Sequence, residues 1–98
     1  MSSELNRGML EDRRTAAQAE LAGVDRAHTA RRFPIIERLR LYDALLADNG
    51  PGEDEQYRQS LLDLLQGKWH VPNVTNEVPI HREAQRLLEE LEGRMKQR

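Results

Sequence analysis

Ninety-eight residues fit one domain and are too few for a dinucleotide-binding fold or a (β/α)₈ barrel, which need roughly 150 to 250 residues. The chain is 38% hydrophobic, 33% charged and 4% aromatic, has no cysteine, and carries a net charge of −2. The lack of cysteine excludes a disulfide framework and a thiolate zinc site, no run of about 18 apolar residues offers a membrane span, and the small net charge points to neither a polyanionic nor a polycationic partner.

In chain order, the first 32 residues read as a helical arm. Ser2 or Ser3 can cap a helix, which the pattern carries to about Arg32, roughly 45 Å at 1.5 Å per residue. It bears two weak stripes. One is Leu10, Ala17, Leu21 and Val24; the other is a row of small residues, Ala16, Ala19, Gly23, Ala27 and Ala30, extended by Leu5 and Met9. Alanine fills helices on propensity alone. A row of small residues also admits a second helix at close range, so the arm reads as a segment able to touch two neighbours at once.

The clearest helix runs from Pro34, suited to a first turn, to about Asp48. Ile35, Leu39, Tyr42 and Leu46 form its stripe, which Ile36, Leu41 and Leu45 widen past half the circumference. Such a helix is central to a bundle or buried in an interface. Asn49-Gly50-Pro51-Gly52 stops it. A third helix is predicted over Glu53–Gln66, with Tyr57, Leu61, Leu64 and Leu65 inward and Gly67 at its end. Residues 68–79, with Pro72 and Pro79, read as a long loop. The last helix runs from Glu77 or Ile80 to Lys96 on the stripe Ile80, Ala84, Leu87, Leu88, Leu91 and Met95, its polar side being ordinary solvated surface.

The expected fold is therefore all-α: a three-helix bundle over 33–98 with the 1–32 arm attached. The alternative is a four-helix bundle in which the arm folds back as the first helix. Large apolar residues number 6 before position 33 and 22 from there on, so the arm has to lean on something. Charge is also uneven. Residues 43–67 hold six acidic residues against one basic, and residues 26–40 hold five arginines against Glu37.

Little points to catalysis. No hydroxyl residue sits in a nucleophile elbow, and no glycine run cradles phosphate. Glu77 and His81 stand four apart, without a second histidine at metal-ligand spacing. No cofactor, metal or small-molecule substrate is expected. Trp69 reads as a lid on the helical core or as an interface anchor, with Val71, Val74 and Val78 continuing the lid; His70 beside it reads as a hydrogen-bonding surface residue.

The expected function is a non-enzymatic protein-interaction module: a small regulator, adaptor, inhibitor or accessory subunit of a bacterial or phage assembly, or a homo-oligomer. Its contacts are expected at Ala16, Ala19, Gly23, Ala27, Arg31, Arg32, Leu41, Leu45, Trp69 and His70. The alternative is a nucleic-acid-associated module using the Arg26–Arg40 segment, although nucleic-acid modules more often show a pI above about 9. The polar stretch Met1–Leu10 is not expected to direct export, so the expected location is cytoplasmic.

Overall fold

Glycine, a turn-forming aspartate and a positioned arginine decide where the first helix ends. In the computed structural model, which describes residues 2–49, 54–74 and 77–96, four helices follow in order. They are α1 (Ser2–Ala22), α2 (Thr29–Asn49), α3 (Asp54–Leu65) and α4 (Val78–Lys96). Only the backbone is described at residues 2–6, 48, 49, 54 and 95. The predicted stop at Gly50-Pro51-Gly52, the residue Glu53 and the side chains of Leu5 and Met95 lie outside the described residues.

The N-terminal helix is ten residues shorter than its periodicity suggests. The Gly23 N–H donates to the carbonyls of Ala19 and Glu20 at 3.2 and 3.1 Å. The Asp25 carboxylate then accepts the Ala27 N–H at 2.9 Å, a side-chain turn that competes with continued helix. Arg32 reaches back and donates to the carbonyls of Leu21 (3.4 Å) and Val24 (3.0 Å). A cation at a helix C-terminus both fills orphan carbonyls and complements the dipole.

Helix α2 starts before Pro34, not at it. The His28 carbonyl accepts from the N–H groups of Arg31 and Arg32 at 3.0 and 3.1 Å, so the helix opens at Thr29 and Pro34 lies inside it. Proline cannot donate to the Ala30 carbonyl. Both residues are exposed, so water can take the freed carbonyl, while the ring still crowds it, a local cost that the packing of α2 overrides.

α1 folds back on α2 rather than standing off. Arg14 pairs with Asp43 at 2.5 Å and Arg38 with Glu20 at 2.7 Å, which makes the two helices antiparallel. α3 and α4 form a second antiparallel pair, marked by Arg58 and Glu92 at 3.8 Å. α2 and α4 join the two pairs and run the same way. Ile35 shares a groove with Pro79, Tyr42 bonds Glu83, and Leu45 shares a small core cavity with Leu87 and Leu91. The molecule is the four-helix arrangement, measuring 45 × 27 × 21 Å.

The core follows from this pairing. α1 contributes Leu10 and Ala17; α2 contributes Ile35, Leu41, Tyr42 and Leu45; α3 contributes Tyr57, Leu61 and Leu64; α4 contributes its whole stripe from Ile80 to Leu91. Leu41 and Leu45 are each 0% exposed, which corrects their expected role as partner contacts. The wide apolar arc of α2 is consumed inside the chain, because α2 is the helix against which both pairs pack.

α3 ends in a Schellman motif. The Lys68 N–H donates to Asp63 at 2.8 Å, the Gly67 N–H to Leu64 at 3.1 Å, and Gly67 holds φ at 76°. The following loop lies on the core through Trp69, Val71 and Val74. Arg40 donates to the Asn73 carbonyl, and Asn73 tolerates φ of 63° because its short amide suits that region. Val78 is 56% exposed and does not belong to the lid: it opens α4 and faces away from the core.

Candidate functional site

Because α2 and α4 run the same way, their N-terminal halves lie side by side at one end of the bundle. Between them opens a groove of about 310 Å³, lined by Glu20 of α1, Arg31, Pro34, Ile35 and Arg38 of α2, and Pro79, Arg82, Glu83 and Arg86 of α4. Four guanidinium groups therefore face two carboxylates. Ile35 is buried; the prolines are non-polar walls that carry no N–H.

The carboxylates are already engaged. Glu20 accepts from Arg38 at 2.7 Å. Glu83 is 3% exposed and accepts the hydroxyl of Tyr42. The guanidinium groups of Arg86 and Arg13 stand 3.8 and 3.9 Å from it, and Arg13 also pairs with Glu90. Burial and, next, the bond to Glu83 push the Tyr42 phenol well above its ordinary range, so it stays a neutral donor. A buried carboxylate persists only with such donors. Arg31 and Arg82 are different. Both are exposed, and neither has an ion pair among the described residues. Within the same end of the bundle, Phe33 is 49% exposed beside Pro34, and Val78 is exposed beside Pro79.

The expected contact residues divide into four groups. Arg31 lies in the groove. Ala16, Ala19 and Gly23 lie on the open side of α1, Ala16 and Gly23 standing one turn either side of Glu20, and Ala27 is exposed in the connecting turn. Arg32, Leu41, Leu45 and Trp69 are turned to internal work: Arg32 caps α1, the leucines fill the core, and Trp69 packs on it. His70 is exposed, with its Nδ1 3.1 Å from Glu77, and His81 stands 3.8 Å from the same carboxylate. Among the described residues these do not form a metal-ligating group of three.

The Arg26–Arg40 segment does not present one basic track. Arg32 and Arg40 donate to backbone carbonyls and Arg38 holds Glu20. None of the three pairs with a described acidic side chain of the 43–67 segment. The groove instead draws Arg82 and Arg86 from α4, a face that periodicity assigns to solvent. Their spacing of four marks a shared helical face, but only the packing of α4 beside α2 brings it to Arg31 and Arg38.

No helix among the described residues is long and apolar enough to cross a membrane. Comparison with known proteins returns no matching family model, no matching curated protein and no matching solved structure.

Proposed function

We propose that this chain is a non-enzymatic protein-interaction module, a small regulator, adaptor, inhibitor or accessory subunit that docks on a larger partner through the α2–α4 end of its bundle. The arginine-lined groove, with two guanidinium groups that have no ion pair among the described residues, carries this reading. Arginine is enriched at binding hot spots, and Phe33 and Val78 are exposed at the same end of the bundle, outside the groove lining. The small-residue face of α1 adjoining Glu20 supplies a flank on which a partner helix can lie close.

Affinity capture from native lysate tests the reading, comparing the intact chain with R31Q/R82Q and with A16E/A19E. A partner held by the intact chain and lost by either variant supports it. A monomer in sedimentation equilibrium that captures nothing above background refutes it.

A further inference from the structure

We propose that the groove between α2 and α4 takes an acidic protein segment, one that presents carboxylates to Arg31 and Arg82. This deepens the interaction reading above and rests on it.

Charge complementarity sets the sign. The groove wall carries four arginines, and the two carboxylates among them, Glu20 and Glu83, are occupied by Arg38 and by Tyr42 with Arg13. What is left over is cationic. Guanidinium favours planar two-oxygen anions, carboxylate and phosphate alike. The resident carboxylates choose between them. Glu20 shows that a carboxylate fits on this wall at 2.7 Å from a guanidinium. A phosphate, with up to two charges on one centre, would stand close to Glu20 and to the buried Glu83. Separate single charges along a peptide can alternate with them. A nucleic-acid strand would further need a continuous cationic track, and Arg32, Arg38 and Arg40 are engaged within the chain.

Size points the same way. About 310 Å³ holds a few side chains of an extended or helical segment, not a duplex. Ile35 and the two prolines are the groove's non-polar lining, so the contact is mainly ionic and weakens as salt rises. Arg38 would be shared between Glu20 and the incoming segment, so docking loosens one tie of α1 to α2.

The test is fluorescence anisotropy with the full chain and three labelled probes: a peptide of alternating glutamate pairs and leucines, a polyglutamate peptide of equal length, and a single-stranded oligonucleotide. Both peptides are expected to bind, with the oligonucleotide last. R31Q/R82Q should weaken peptide binding by about tenfold or more, while circular dichroism shows an unchanged melt, since both side chains are exposed. F33S/V78S, outside the groove lining, should leave peptide binding unchanged. Stronger binding of the oligonucleotide, or peptide binding untouched by R31Q/R82Q, overturns the proposal. So does a salt-sensitive self-association abolished by R31Q/R82Q, because the occupant is then the acidic segment of a second copy. A lysate partner retained by R31Q/R82Q but lost by A16E/A19E removes the acidic segment and leaves the interaction module standing.

Discussion

The bond between Tyr42 and Glu83 offers the most decisive check on how this small bundle is held together. It joins α2 to α4 in the interior, where Glu83 is almost wholly buried. Tyr42→Phe keeps the ring and its packing, so no cavity opens. It removes the hydroxyl that donates to the carboxylate, and the nearest cations are 3.8 and 3.9 Å away, beyond hydrogen-bonding distance. Hydrogen bonds to charged groups contribute about 1.5 to 3 kcal/mol, and stranding a buried acceptor brings the loss to the upper part of that range. For a domain near 100 residues, about 2.5 to 3 kcal/mol lowers Tm by roughly 10 to 24 °C. Urea and thermal unfolding followed by circular dichroism measure it. Glu83→Leu in the Tyr42→Phe background should cost less than the sum of the two single changes, since removing both polar partners leaves none stranded, and the coupling should be about 0.5 to 3 kcal/mol. A Tyr42→Phe variant within about 0.5 kcal/mol of the parent, or strict additivity of the pair, would refute the reasoning.

Three further outcomes follow from the same structure. Both tyrosines have phenols pushed above their ordinary value of about 10, by burial first, with the Glu83 bond adding at Tyr42 and Arg7 drawing Tyr57 part of the way back. This stabilisation is complete below pH 10 and is lost as pH rises above it, because the unfolded chain releases those protons first; absorbance at 295 nm should stay flat through about pH 10 and rise only together with helix loss. Phenolate forming near pH 10 in a fully helical protein contradicts this. Gly67→Ala should destabilise by about 1 to 2 kcal/mol, because a Cβ is strained at φ of 76° although nothing crowds it, and urea midpoints measure it; an unchanged midpoint contradicts the Schellman cap. Leu45→Ala should cost about 2 to 5 kcal/mol in the same assay, as expected for a fully buried side chain, and a loss below about 1 kcal/mol would place Leu45 on a surface after all.

Helix identity was legible where apolar spacing was regular. The stripes of α3 and α4 sit inward as their periodicity requires, with Gly67 closing α3. On α1, the stripe of Leu10, Ala17, Leu21 and Val24 is the one that packs, and the row of alanines stays outside. The ends were less legible. Periodicity runs through residues 23–28 because it registers side chains, whereas the break is made by backbone and cap bonds: Gly23, the Asp25 turn, and Arg32 returning to the carbonyls of α1. Pro34 marked a start because a first turn tolerates proline, but it lies in the second turn, where the packing of α2 overrides its local cost.

The sequence by itself determined an all-α chain, a central and widely apolar second helix, and a first segment too poor in large side chains to stand alone. Those are properties of spacing and composition, local in nature. Tertiary structure alone decided that the first segment folds back and that the breadth of α2 is spent on three neighbours, burying Leu41 and Leu45. It also decided the groove. Arg31 and Arg38 lie more than 40 positions from Arg82 and Arg86, and no local pattern links them. They meet because α2 and α4, joined through an intervening helix, run in the same direction with Tyr42 bonded to Glu83.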